Sequence, residues 1–279
     1  MHPGFIDIHC HLIPGIDDGP ETMEESLQMC RMAYEDGSET IVATPHVNPG
    51  VFDNDWETIS AGFNSLEKAV KSAGIPLQLY AGADVRMNEM LMKNTDPDEF
   101  ITINHNNVYM LLEFPDSLIP PNTDHFIFNI KLKGITPILT HPERNYEVQR
   151  NPNILFHLVN MGTLVQITAM SLIGEFGENL RDLCELLLTS NLVHVVASDA
   201  HSVNHRPPLL REAFNLTAEL IGEKQALCLF TDTPGKIVAG EEITPEEPNE
   251  ITSGHQRFMS KGIRKFKKFF NLFHSGKGG

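Results

Sequence analysis

His9 and His11 stand two residues apart at the end of the strand-like run that begins at Phe5, and side chains two apart on a β-strand share a face, so both imidazoles can meet one cation. Asp17 and Asp18 follow in the turn-forming run DDGP, where a carboxylate either caps a helix or serves as a hard oxygen ligand. His46 then closes ATPH, Asp84 closes AGAD and Glu113 sits in LLEF. His141 opens HPER, with Arg144 three residues on, and SDAH supplies Asp199 and His201 as a second alternating pair. A carboxylate carried on an apolar strand is costly to bury without a partner, and among so many imidazoles and carboxylates that partner is expected to be a cation. Nitrogen and oxygen donors without thiolate suit manganese, iron or zinc better than a cysteine-rich structural zinc site. Clustered dications would lower the pKa of water and neutralise phosphoryl oxygens, which is the chemistry of phosphoester hydrolysis.

Nucleophilic thiolate chemistry is excluded by spacing. A cysteine phosphatase needs an arginine six residues after the cysteine, and the residues six after Cys10, Cys30, Cys184 and Cys228 are Ile16, Asp36, Ser190 and Pro234. Nor is there a GxxxxGK[ST] phosphate loop.

The candidate residues need elements that bring them together. Strand-like runs occupy 5–9, 40–46, 77–85, 108–114, 135–141, 163–168 and 193–198, with helical stretches at 20–36 and 53–73 and further amphipathic stretches between the later runs. Seven such βα repeats predict an α/β fold with a parallel sheet covered by helices, whose chemistry lies at the carboxyl ends of the strands. The nine His, Asp and Glu candidates fall at the ends of six of those runs.

At 279 residues and 41 % apolar content, the chain is long enough for one α/β barrel with a short appendage. No signal-like segment opens it and no run of eighteen apolar residues interrupts it, so neither export nor a membrane span is expected. Four dispersed cysteines fit reduced thiols of a cytosolic protein. Net charge is −16, but all 37 acidic residues precede position 251 and seven of the 21 basic ones lie between 257 and 277. Residues 1–256 therefore set 37 acidic against 14 basic side chains. Such a body repels nucleic acid and favours cations.

The ordered set DIHCHLIPGIDDGP, ATPH, AGAD, LLEF, THPER and VVASDAH followed by RPP resembles the polymerase and histidinol phosphatase (PHP) superfamily. Within it the chain is most similar to the manganese-dependent tyrosine-protein phosphatases of bacterial capsule loci, the CpsB/CapC type, over about residues 5–240. The resemblance implies a distorted (β/α) barrel of seven parallel strands with three metal ions at its carboxyl-end face. It implies His9, His11, Asp18, His46, Asp84, Glu113, His141, Asp199 and His201 as metal ligands, and manganese as the metal, with iron or zinc as alternatives. Arg144 and Arg206 match the family's phosphate-binding arginines, whose planar forks fit two phosphoryl oxygens. Asp84 departs from the family pattern, which often has glutamate there, and its shorter arm puts a bridging role in question. The implied partner is a phosphotyrosine protein, a membrane tyrosine autokinase controlling polysaccharide synthesis, met in the cytoplasm or at the inner face of the membrane. A second reading keeps the site but gives it a small substrate such as histidinol phosphate; a third makes the chain a non-catalytic kinase or membrane scaffold.

The resemblance ends before the tail. The expected domains are a barrel over 1–243, a turn-rich acidic linker over 244–256 and a tail over 257–279. In that tail Met259, Ile263, Phe266, Phe270 and Phe273 recur at helical spacing opposite Arg257, Lys261, Arg264 and Lys268. A basic amphipathic helix of this kind is expected to lie on an anionic membrane surface, to dock a partner, or to pack its aromatic stripe on the barrel.

Overall fold

The computed structural model describes residues 4–94, 96 and 100–252. The tail expected over 257–279 lies outside them, as does the end of the expected linker.

Among the described residues nine strands form, where the sequence predicts seven runs. They are β1 (Phe5–Cys10), β2 (Ser38–Ala43), β3 (His46–Val47), β4 (Gln78–Ala81), β5 (Asp84–Arg86), β6 (Tyr109–Glu113), β7 (Thr136–Thr140), β8 (Leu164–Thr168) and β9 (Val195–Ala197). The two extra strands come from breaks inside the second and third runs. Pro45 has no N–H to give a ladder, and across the second break the N–H of Gly82 still bonds Ala43 while that of Asp84 bonds Pro45. All strand pairings are parallel, in a three-stranded sheet ordered β1-β2-β4 and a six-stranded sheet ordered β3-β5-β6-β7-β8-β9. Regular pairing does not close these into one barrel. The chain itself links them at the two breaks, and on the other side an isolated bridge joins Cys10 to Ala200.

Parallel strands need long crossovers, and helices supply them here. The longer ones are α1 (Met23–Asp36), α2 (Trp56–Ser72), α4 (Thr123–Leu132), α6 (Asn153–Asn160), α8 (Glu178–Thr189), α9 (Arg211–Ile221) and α11 (Thr233–Ala239). Shorter turns of helix are α3 (Glu89–Lys93), α5 (Tyr146–Arg150), α7 (Ala169–Ile173) and α10 (Glu223–Leu227). The first helix starts at Met23, later than the sequence predicts, because Thr22 caps it in a reciprocal capping box with Glu25. Neither Asp17 nor Asp18 caps it, so both are free for the site.

Every residue of β6 and β8 is buried, as expected for strands covered on both faces. One apolar cluster lies between sheets and helices; a smaller one gathers Ile8, Val42, Leu111, Ile138, Leu164 and Val195 on the other face, with Ile237 and Val238 of α11 packed against them. Residues 244–252 form no regular element, yet Asn249 N–H bonds Ser190 O at 2.8 Å and Asn153 exchanges two hydrogen bonds with Ile251, so this stretch is tied to the ends of α8 and α6. Among the described residues no helix is long and apolar enough to cross a membrane.

His194, just before β9, provides a stability test away from the candidate ligands. Val165 N–H donates to its Nδ1 at 3.0 Å, so the neutral ring carries its proton on Nε2, which has no partner. Burial pushes the pKa down to about 4. The folded pKa lies below the unfolded one, so the unfolded chain binds more protons between these values and stability falls as pH drops through that window. The loss saturates at about 3 kcal/mol. Denaturation at pH 7.5 and pH 4.5 should show His194→Gln losing less stability than the wild type by roughly 2–3 kcal/mol, since pH 4.5 lies just above saturation; equal losses would remove His194 from the acid sensitivity.

Candidate metal centre

Strand ends, together with the breaks between β2 and β3 and between β4 and β5, converge on one largely buried cluster. β1 ends in His9 and Cys10 with His11 just beyond, β3 begins at His46, β5 begins at Asp84, β6 ends at Glu113, and His141 follows β7. Asp199 and His201 follow β9, where Asp199 N–H bonds His9 O and His11 N–H bonds Ala200 O, both at 2.8 Å. His141 and Asp199 take left-handed backbone conformations, with φ of 34° and 50°. Non-glycine residues adopt these at a cost that function often explains.

All nine sequence candidates meet here, in four overlapping groups whose ligand-type atoms lie within 4.8 Å of one another. His11, Asp18, His46 and His201 form one; His9, His11 and Asp84 a second; His9, His141 and Asp199 a third; His46, Asp84 and Glu113 a fourth. Asp84 is central in spite of its short arm. Its Oδ2 lies 3.6 Å from His9 Nε2, 3.4 Å from His46 Nδ1 and 3.8 Å from His141 Nε2. Asp18, half exposed, lies 3.5 Å from His46 Nε2 and 3.3 Å from His201 Nε2.

Two residues that the sequence reading left without a role in the site set the proton positions. His9 Nδ1–H donates to Gln166 Oε1 at 2.8 Å, and His11 Nδ1–H donates to Asp17 Oδ2 at 2.7 Å. The two Nε2 atoms face each other at 3.2 Å, and without a metal ion the proton between them belongs to His11. A metal ion bound there would take the place of that proton, with both Nε2 lone pairs turned to it. His46 Nδ1, Asp84 Oδ2, Asp199 Oδ1 and His201 Nε2 are buried with no hydrogen-bond partner. This donor set fits divalent metal ions. Gln166 carried a legible signal, a polar residue inside the apolar strand β8; Asp17 looked equally like a cap.

The DDGP glycine is required by close approach. A Cβ on Gly19 would stand 2.9 Å from Asp17 Oδ1 and 3.0 Å from His11 Cβ, displacing the pair that orients His11.

Electrostatics follow from burial and pairing. Burial pushes His9 down to about 3, against the pull of Asp84 and Asp199, so its ring stays neutral. Burial also opposes charge on His11, but the Asp17 and Asp199 carboxylates outweigh it and raise it to about 10. Asp199 is held well below the usual carboxylate range: burial works against its charge, and Arg144, with His11 and Arg206, overcomes that. Arg144 Nη1 lies 2.7 Å from Asp199 Oδ2, Arg206 pairs with the same oxygen, and Arg144 Nη2 also donates to Thr168 Oγ1 at 2.9 Å. Neither arginine is a free surface residue; each keeps an Nε–H without a partner. Arg86 is a third guanidinium at the site that the sequence reading passed over, 2.8 Å from Glu113 Oε1. Cys10 is wholly buried, and burial raises its thiol well above the ordinary value, which leaves no ready thiolate.

With this geometry in hand, the relatives are informative. The family model for capsular polysaccharide synthesis, CpsB/CapC, matches residues 5–239. A putative tyrosine-protein phosphatase CapC of Staphylococcus aureus is 38 % identical over 246 residues, covering 88 % of this chain and 96 % of that protein. The tyrosine-protein phosphatase YwqE of Bacillus subtilis is 34 % identical over 247 residues, with the same coverage of each. A solved structure from work on YwqE of Bacillus subtilis and CpsB of Streptococcus pneumoniae, described as unique metal-dependent tyrosine phosphatases, superposes with a TM-score of 0.83 at 33 % identity, covering 88 % of this chain and 99 % of the other. A phosphotriesterase homology protein from Escherichia coli shares the fold alone, at a TM-score of 0.55 and 11 % identity.

Proposed function

This chain belongs to the CpsB/CapC family of capsular polysaccharide synthesis, and from that premise we propose that it is a metal-dependent protein-tyrosine phosphatase. The observation that carries the reading is the gathering of nine His, Asp and Glu side chains into overlapping groups, with His9 Nε2 and His11 Nε2 only 3.2 Å apart among them. We read all nine as ligands and manganese as the metal, with iron or zinc as alternatives. Metal ions bound there supply a water of lowered pKa and positive charge opposite the phosphoryl oxygens. Asp17 and Gln166 hold His11 and His9 in the ligating tautomer. Asp199 fixes Arg144 and Arg206 side by side, so that their guanidinium groups are arranged before the phosphoryl group arrives. A tyrosine leaving group has a pKa of about 10 and needs little help to depart, which suits a site that offers cations and arginines more than a strong general acid.

In this reading the two sheets are one distorted seven-membered PHP-type barrel, with β2–β3 and β4–β5 each counted as one kinked strand and the Cys10–Ala200 bridge as its seam. The natural substrate would be a phosphotyrosine protein, by family resemblance a membrane tyrosine autokinase, and the enzyme would act in the cytoplasm or at the membrane's inner face. The barrel would span 1–243, and the basic tail over 257–279 would make the peripheral membrane or partner contact.

A parallel assay tests this. Metal-loaded full-length protein is given a phosphotyrosine peptide, a phosphoserine peptide and histidinol phosphate, each with and without chelator. Hydrolysis of phosphotyrosine should dominate, vanish on chelation and return best with manganese. Preference for histidinol phosphate would favour the small-substrate reading, and turnover that survives full chelation would sink the metal mechanism.

A further inference from the structure

Two aromatic rings lie against residues of the centre, and neither packs into the hydrophobic clusters. Phe52 lies 5.6 Å from His46, ring on ring and nearly parallel at 10°. It is held there by a tight turn in which Asn48 and Phe52 exchange two backbone hydrogen bonds, and Asn54 ties that turn to the carbonyls of Ile16 and His46. Phe176 sits in the short connection between α7 and α8, its ring 4.7 Å from the Arg144 guanidinium carbon. Both are partly exposed, on connections that leave the carboxyl ends of β3 and β8. One ring therefore rests on the His46 side of the cluster and the other on the arginine that pairs with Asp199.

Each ring thus touches a residue of the centre while remaining partly exposed. In the phosphatase reading above, a phosphoryl group held between the metal ligands and the two arginines would have His46 and Arg144 as neighbours of its ester substituent. An aryl substituent is flat and apolar at that point; an alkyl one is a single methylene followed by polar backbone.

We propose that Phe52 and Phe176 are specificity-determining residues that receive the aromatic ring of the substrate and so select aryl over alkyl phosphate esters. The inference rests on the phosphatase reading above and adds to it the groups that recognise the tyrosine side chain. Aromatic rings contact one another favourably in tilted or offset geometry at centroid separations of about 4.5–7 Å, and both phenylalanines are partly exposed. Phe176 also lies against Arg144, so the test must separate recognition of the ring from support of the arginine.

The experiment uses the full-length, manganese-loaded protein and two small esters, phenyl phosphate and ethyl phosphate, with a phosphotyrosine and a phosphoserine peptide as the longer pair. The readout is the aryl-to-alkyl ratio of kcat/KM. Phe52→Leu and Phe176→Leu should each lower that ratio about threefold to tenfold, the double variant more, and Phe176→Tyr should restore it. Circular dichroism and metal content establish that each variant is folded and loaded. If Phe176→Leu lowers aryl and alkyl hydrolysis alike, the ring acts only through Arg144 and the proposal fails for it. If the double variant keeps the wild-type ratio, the inference fails while the phosphatase reading stands. A wild type with no aryl preference removes both the selection and the tyrosine assignment.

Discussion

Alanine in place of Asp199 is expected to lower kcat/KM for a phosphotyrosine peptide by roughly a thousandfold or more, the largest effect of any single change at the centre. The reason is that this carboxylate serves two systems at once. Its Oδ1 lies 3.4 Å from His9 Nε2 and 3.5 Å from His11 Nε2, on the candidate metal side. Its Oδ2 receives Arg144 and Arg206. Removing it takes one negative charge from a buried cation site and leaves two guanidinium groups without the anion that holds them. Metal analysis and turnover should be measured on the same folded sample, with Asp199→Asn alongside to keep the volume and part of the hydrogen bonding. Near wild-type turnover per metal-loaded molecule would remove Asp199 both from the metal site and from the support of the arginines. Unfolding of both variants, with normal turnover in the folded remainder, would make it a structural residue.

Arg144→Ala should cost roughly 2–4 kcal/mol of transition-state stabilisation, seen in kcat/KM, and Arg206→Ala a loss of the same order. The structure adds a condition to that expectation. Both guanidinium groups share one carboxylate oxygen, so each single variant leaves the other arginine alone on Asp199, and the two losses should not add. A double variant that loses clearly less than the combined single losses is the expected outcome of a full cycle. Arg144 has further anchors in Thr168 and Phe176 and should keep its place when Arg206 is gone. Strict additivity would mean the pair acts at independent points, and unchanged kinetics in all three variants would return both arginines to a purely structural role.

Histidines and carboxylates at strand ends were legible before any fold was known, because a charged or imidazole side chain after an apolar strand is costly to bury without a partner and seldom repeats by chance. His9, His11, His46, Glu113, His141 and His201 carry that signal on their own, and the structure brings all six into one cluster. The parallel α/β class was legible too, since continuous apolar runs between amphipathic stretches have few other ways to bury themselves. Strand count was not. Pro45 and the Gly82 break interrupt runs that read as continuous, because hydropathy records what a strand buries and not whether its ladder is unbroken. The roles of Asp17 and Asp18 could not be separated either. Adjacent carboxylates on a turn look alike in sequence, and only the path of the chain decides that Asp17 takes the His11 and His46 N–H groups while Asp18 faces His46 and His201. Gln166 lies 157 residues from His9, and Phe52 and Phe176 acquire meaning only beside His46 and Arg144. Sequence determined which chemical groups this protein carries and the class of fold that could gather them. The tertiary structure alone decided which nitrogen of each histidine is free and which carboxylate oxygen is shared, because tautomers and pairings are fixed by neighbours that the chain brings from far along its length.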